Sequence, residues 1–317
     1  MRGAAEKSAR PGAGSVSLTR TRTRRSVGEQ GVKILLAAAA VLSVLTTTGI
    51  VVTLLTESSK FFGEIPVGDF FLGTNWQPLA GGESTSFGVV PLIWSTLYLT
   101  FIALLVAVPL GLGVGVYLAE YASPRARRIL KPIVEVLAGV PTIVFGYFAL
   151  TFFTPLLGDI GINVQIFNGL SGGIILGILV LPTIASVSED SLTAVPQSLR
   201  EGAFGLGAAK WQVVVRVVFP AALSGVVAAL VLGASRAIGE TVVILVASGN
   251  NPNLTFDLQV AHQNMAAFIA NVARSDVSAG SIAYATIFAV GTTLFVMTFF
   301  LNLIAIRFVR KYRQVYE

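Results

Sequence analysis

The sequence predicts an all-α membrane protein with six transmembrane helices, on three observations. The chain is 54% hydrophobic and only 12% charged, where soluble domains carry about a quarter charged residues. Its apolar residues fall in long runs, and about 20 such residues span a bilayer as a helix. Its positive charges gather at the ends of those runs, as expected of loops that stay on one side of a membrane.

The elements follow in order. Residues 1–30 are rich in Arg, Ser and Gly, lack an apolar face, and read as a disordered basic cytoplasmic tail. The run at roughly 31–56 is too long for a signal-peptide core and lacks a small-residue cleavage site, so it is expected to remain as an anchor. Five more spans are expected at roughly 91–119, 131–156, 171–189, 221–247 and 281–307, within a membrane domain of residues 31–313. Basic residues cluster at Arg20, Arg22, Arg24 and Arg25, at Arg125, Arg127, Arg128 and Lys131, and at Arg307, Arg310, Lys311 and Arg313. The alternate segments 57–90, 157–170 and 248–280 hold only Lys60 and Arg274, against Glu57, Glu64, Asp69, Glu83, Asp159, Asp257 and Asp276. The positive-inside rule then places both termini of this multi-pass chain in the cytoplasm.

A pI near 9.8 raises the question of nucleic acid, but no recognition motif accompanies the charge. Flanking the spans, it suits anionic membrane lipid instead. With no cysteine, disulfide and thiol chemistry are excluded. In the external segment 57–90, Phe61, Phe62, Phe70, Phe71 and Trp76 suit an aromatic belt at the outer interface, or else a docking surface for an external partner. The single histidine, His262, lies in a polar loop and is expected to be solvated and without a role. Spans two to four carry Pro109, Gly111, Gly113, Gly115, Gly139, Pro141, Gly146, Gly172, Gly173, Gly177 and Pro182. Small residues let helices pack closely and prolines kink them, which suits both a compact bundle and a path that opens.

Between the fourth and fifth runs lies EGAFGLGAAKWQVVVRVVFP, residues 201–220. It is too polar to cross a bilayer, yet its apolar positions recur at helical spacing. A peripheral ATPase can move membrane helices only through a rigid element that protrudes from them, with small residues where chains approach closely. The plainer alternative is an amphipathic helix lying on the inner leaflet. The run resembles the EAA loop of ABC-importer permeases: Glu-Ala-Ala, three residues, Gly, nine residues, then Ile-x-Leu-Pro. Glu201, Gly202 and Ala203 match its start with glycine in place of the first alanine, Gly207 has the expected spacing, and Val217, Phe219 and Pro220 match its close. That resemblance implies a coupling helix at about 193–212 that docks into a groove of a nucleotide-binding subunit. No GxxxxGK[ST] phosphate loop occurs in the chain. The ATPase, with its ATP and Mg, is therefore expected on a separate polypeptide, and this chain is not expected to be an enzyme or to hold a cofactor.

The fifth run, AALSGVVAALVLGASRAIGETVVILVAS, holds Arg236 and Glu240 between apolar stretches. A charge near the bilayer centre costs at least ~2.5–3.5 kcal/mol, so both are candidates for a substrate path. At i and i+4 on one helix they would share a face, with mutual pairing as the structural alternative. The base precedes the acid, however, and even a well-ordered pair contributes only ~0.2–0.5 kcal/mol. An arginine fork suits an oxyanion, and a neighbouring carboxylate suits one that keeps a proton, as phosphate does and sulfate does not.

The segments LAGVPTIVFGYFAL (137–150), LPTIASVSEDSLTAVPQSLREGAFGLGAAKWQVV (181–214) and GASRAIGETVVILVASGNNPN (233–253) together resemble the phosphate-specific ABC importer permeases, closer to the PstC-type than to the PstA-type subunit. The resemblance runs from about residue 31 to the C-terminus. It implies the type I ABC-importer permease fold and a role in ATP-driven import of inorganic phosphate. It also implies a PstA-type second permease, a PstB-type ATP-binding dimer and an extracytoplasmic PstS-type phosphate-binding protein as partners. Arg236 and Glu240 match the family's intramembrane charged positions. A permease for sulfate or molybdate, or an ion-driven secondary transporter, remain the alternatives.

Overall fold

The computed structural model describes residues 24–312. Most of the basic tail, and Arg313 at the other end, lie outside these residues. The chain divides into two compact units at Val52 and Thr53. Helix α1, Arg24–Glu64, begins in the first unit, so the last residues assigned to the tail are helical. Between Glu29 and Val52 it is almost wholly exposed, as suits an apolar helix whose solvent is lipid.

The second unit starts with the end of α1 and continues through α2 (Val67–Leu72), a hairpin of β1 (Trp76–Gln77) and β2 (Ser86–Phe87), and α3 (Val90–Val116). A π-helical turn, Tyr117–Tyr121, extends α3. Next come α4 (Pro124–Gly139), α5 (Thr142–Phe148) and α6 (Thr154–Asp159), the last two joined by a π turn at Ala149–Phe153. Helix α7 covers Gly169–Thr193 and α8 covers Gln197–Gly205. Then α9 (Lys210–Val213), a π turn (Val214–Val218) and α10 (Phe219–Ala221) lead into α11 (Leu223–Ile238). A π turn at Ile244–Ser248, α12 (Met265–Ala273) and α13 (Ile282–Tyr312) complete the order. Among the described residues five helical stretches are long and apolar enough to span a membrane: Glu29–Glu64, Val90–Tyr121, Thr142–Asp159, Gly169–Thr193 and Ile282–Arg307. A sixth is the bent pair Lys210–Ala221 and Leu223–Ile238.

The core sits between α3 and α7. Leu99, Ala103 and Ala107 of α3 meet Ile175, Leu176, Leu179, Val180 and Ile184 of α7. The approach is close because glycine permits it: a Cβ on Gly177 would lie 2.7 Å from the Ala103 carbonyl oxygen. In lipid such van der Waals fit, rather than a hydrophobic force, holds helices together.

Three elements differ from the sequence expectation. The span placed at 131–156 is two elements. Ser123 caps α4 by accepting from the Ala126 N–H at 3.2 Å, and α4 stops where Pro141 forces Val140 into an extended conformation. Helix α4 is amphipathic, and only Thr142–Asp159 is apolar enough to span. The fifth span is not a continuous helix over 221–247, because it bends by 72° at Ala222 and breaks after Ile238. The coupling helix placed at 193–212 is two short helices, α8 and α9, separated by a turn.

Two segments expected to be external pack into the structure. Phe61, Phe70 and Trp76 are buried with Met265 and Phe268. The Trp76 and Phe268 rings meet edge to face at 4.9 Å. The hairpin and α2 turn these side chains onto α12, so they form a core instead of a belt, although Phe71 stays exposed. His262 is fully buried rather than solvated. The turn and irregular stretch at 258–262 exchanges backbone hydrogen bonds with Gln165, Gly169, Leu170 and Ser248. The Asp257 carbonyl can only accept, so at 2.9 Å the His262 Nε2–H donates to it and Nδ1 faces Ser95 Oγ. Burial pushes the imidazole below its ordinary pKa.

Candidate functional site

The sequence-predicted residues fall into two places. The first is the protruding element. In α8, Leu199 and Ala203 face a small core of Leu192, Val195, Val213, Val218 and Val226. The opposite face exposes Glu201, Gly202 and Phe204. The helix closes with Gly207 at φ +80°, the left-handed position where glycine avoids a Cβ penalty. Its N–H donates to the Phe204 carbonyl at 2.9 Å, and the Ala208 N–H to the Ala203 carbonyl at 3.1 Å, a Schellman closure. Gly207 thus shapes the tip rather than merely leaving space. Around it Leu206 is 90% and Trp211 56% exposed. That apolar tip beside an exposed glutamate is suited to a protein partner. Pro220 is exposed at the start of α10, just before the 72° bend.

Residues that sequence reasoning did not single out hold this element in place. Arg200 points inward from α8, and its guanidinium is buried against Glu120 of the α3 extension. Nη2 donates to Glu120 Oε1 at 2.7 Å and Nε at 3.2 Å. The same side chain donates to the carbonyls of Leu192 at 2.8 Å and Val195 at 2.5 Å. Nearby, the buried Glu189 of α7 takes Arg127 at 2.5 Å and Lys131 at 3.0 Å from α4. Lys131 also lies 3.4 Å from Asp190. Hydrogen bonding to Glu189 holds the Lys131 ammonium above its usual pKa. Lys210 stands 4.9 Å over the Tyr121 ring. A basic cluster and carboxylates some 60 to 80 residues away were visible as charges; their pairing required the fold.

The second place is the fifth span. Arg236 occupies the last turn of α11 and is half-buried, with Nη1 donating to Thr183 Oγ1 of α7 at 2.8 Å. Helix α11 ends at Ile238, so Glu240 is not one helical turn further along the same face. Among the described residues the two make no ion pair. Glu240 instead caps the next helical turn: Oε1 accepts from the Val242 N–H at 3.1 Å and the Val243 N–H at 3.3 Å. Its carbonyl accepts from Asn264 Nδ2 at 2.8 Å, and Asn264 itself caps α12. Both the pairing alternative and the shared face are therefore set aside. A broken helix inside a membrane must satisfy its freed backbone groups within the protein. Here a carboxylate and an amide side chain do so, the carboxylate four residues after an arginine that rests on the Thr183 hydroxyl. No group of three or more metal-ligating side chains occurs among the described residues.

Comparison with known proteins agrees with this architecture. Residues 111–314 match the family model of the binding-protein-dependent transport system inner membrane component. The chain is 30% identical to the probable ABC transporter permease protein YqgH of Bacillus subtilis, over 95% of this chain and 97% of that one. It is 34% identical to the phosphate transport system permease protein PstC of Haemophilus influenzae, over 76% and 79% of the two chains. It is also 33% identical to the phosphate transport system permease protein PstA 1 of Mycobacterium tuberculosis, over 73% and 74%. A chain of a bacterial ABC transporter that imports the acidic polysaccharide alginate superposes with a TM-score of 0.64 at 16% identity, covering 92% of this chain and all of that one. The fold is that of the type I ABC-importer permeases, and the chain belongs to the family of binding-protein-dependent transport system inner membrane components.

Proposed function

We propose that this chain is the membrane permease of an ATP-driven importer of inorganic phosphate, with Arg236 on the substrate path. The observation that carries the reading is the placement of Arg236 at a helix break, half-buried and bonded only to the Thr183 hydroxyl among the described hydrogen bonds. A neutral hydroxyl is a weak partner for a guanidinium, and an oxyanion replaces it with charge-assisted bonds. Glu240 keeps one carboxylate oxygen on the Val242 and Val243 amides. Its other oxygen can accept from a protonated oxyanion, which favours phosphate over sulfate. The names of the PstC relatives point the same way.

The exposed tip formed by Glu201, Gly202, Gly207 and Leu206 is read as the docking element for a separate ATP-binding subunit, which brings ATP and Mg. A second, PstA-type permease and an extracytoplasmic PstS-type phosphate-binding protein complete the assembly. The bias of Lys and Arg to alternate segments favours cytoplasmic placement of both termini.

The test is phosphate uptake into proteoliposomes holding the whole assembly, for the wild type and Arg236→Gln, with excess sulfate as competitor. Uptake that ignores sulfate and collapses in the variant supports the reading. Uptake unchanged in Arg236→Gln removes the residue from the path, and uptake abolished by sulfate moves the protein to sulfate.

A further inference from the structure

We propose that Arg200 is the positioning residue that makes the docking helix α8 one rigid body with the membrane helices α3 and α7. The proposal rests on the reading of α8 as the docking element.

The geometry is unusual for a surface helix. Every other residue of α8 from Gln197 to Gly205 is exposed or half-buried, and only Arg200 is buried. Its four hydrogen bonds reach two other elements. Leu192 lies in the last turn of α7, and Val195 lies just past it, in the linker. Carbonyls at a helix C-terminus have no partner within the helix, and a cation there is favoured by the helix dipole. Glu120 belongs to the π turn that ends α3, and its side chain is only 8% exposed.

A push on α8 in any direction therefore meets both α3 and α7, through a linker of only three residues, Ala194–Pro196. Buried apolar contacts alone would let α8 slide, since dispersion is not directional. The planar fork of arginine reaches three acceptors at once, which an ammonium on a flexible stem does not. Removing one partner of such a pair strands the other charge in a buried site. Beside this clamp, a cleft of about 240 Å³ lined by Ser191, Val195, Pro196, Ala222 and Gly225 lies at the bend before α11. A force arriving through Arg200 thus reaches the end of α7 next to the 72° bend of the fifth span.

The experiment uses the complete transporter in proteoliposomes and reads phosphate taken up and ATP hydrolysed in the same samples, for the wild type, Arg200→Lys and Glu120→Gln. The assembled Arg200→Lys complex is expected to go on hydrolysing ATP while phosphate moved per ATP falls roughly tenfold, inside the 5–150-fold span of typical coupling between sites. Glu120→Gln keeps an acceptor oxygen and is expected to fall between that variant and the wild type. An unchanged ratio in both assembled variants overturns the proposal. If Arg200→Lys does not assemble, Glu120→Gln decides alone: a lowered ratio supports the clamp and an unchanged one refutes it. Leu206→Asp separates this from the docking reading, because ATP-binding subunits that still bind and hydrolyse normally in that variant place the docking surface elsewhere.

Discussion

Helix α7 and the fifth span lie side by side and solve the same problem in opposite ways. Helix α7 runs unbroken from Gly169 to Thr193, even past Pro182, and its apolar window is 61% buried. The fifth span bends by 72° at Ala222, stops at Ile238, and resumes as a helical turn from Val242 to Ser248. Continuity in α7 follows from close packing on α3, where glycines bring backbones together and leave no room to hinge. Discontinuity in the fifth span follows from side chains that take over the backbone's hydrogen bonds. The two elements touch at Arg236 and Thr183. A stiff post and a jointed neighbour can therefore be told apart by who satisfies the backbone: the helix itself, or Glu240 and Asn264.

The largest expected effect breaks the post. In Gly177→Leu, the new side chain starts 2.7 Å from the Ala103 carbonyl oxygen, and a backbone atom cannot rotate away. A loss of about 1–3 kcal/mol, the usual range for overpacking, is expected. It would be read as a lower melting temperature and poor recovery of monodisperse protein in detergent. Normal behaviour would mean that α3 and α7 are not fixed at this distance.

A smaller effect loosens the joint. Glu240→Ala removes the acceptor for the Val242 and Val243 amides and should cost about 1 kcal/mol, as loss of a helix cap does. Hydrogen exchange should quicken at those two amides and leave α7 protected. Uniform change across both elements would mean that the joint is not a separate unit.

The smallest effect concerns the segment that closes over both elements. His262 contacts α3 through Ser95 and presses against Gly169 at the start of α7, where an added Cβ would meet its ring at 2.7 Å. Its pKa is lowered on folding, chiefly by burial. The neutral form therefore supports the fold above its unfolded pKa of about 6.5, and that support fades as pH falls below it. The residue should titrate below that value in the folded protein, and the melting temperature should drop on acidification more in the wild type than in His262→Gln. Equal drops would show that this histidine does not set the acid limit.

Much of this was legible in the chain. Apolar runs placed the spans, because membrane length and hydropathy leave few options. The 201–220 spacing pointed to an exposed element between two spans, and the cost of burying Arg236 marked it as a candidate for the path. What the sequence did not carry was interruption and return. The break at Val140 and Pro141 had a signal, a proline behind a basic amphipathic stretch, but the hydrophobic run obscured it. Glu240 is not among the residue types that usually cap helices, so its role as a cap was hidden behind the i, i+4 reading. His262, Phe61, Phe70 and Trp76 were read as facing water or lipid because nothing local says that a loop folds back. Arg200 and Glu120 stand 80 residues apart, and only three-dimensional structure joins them.

The π turns described above carry one consequence for chain length. Each of the segments Tyr117–Tyr121, Ala149–Phe153, Val214–Val218 and Ile244–Ser248 holds one residue more than an α-helix would place over the same rise. Each residue advances a helix by about 100°. Val214–Val218 lies between the exposed tip and the bend into α11, so losing a single residue there would remove one side chain and leave the helix more regular. The wide turn absorbs its extra residue within one turn, so the tip would keep nearly the same angle to the span it precedes. The same deletion inside the regular helix α11 would instead turn its two ends against each other by more than a quarter of a circle, so the π turn is where this stretch can change length without changing phase.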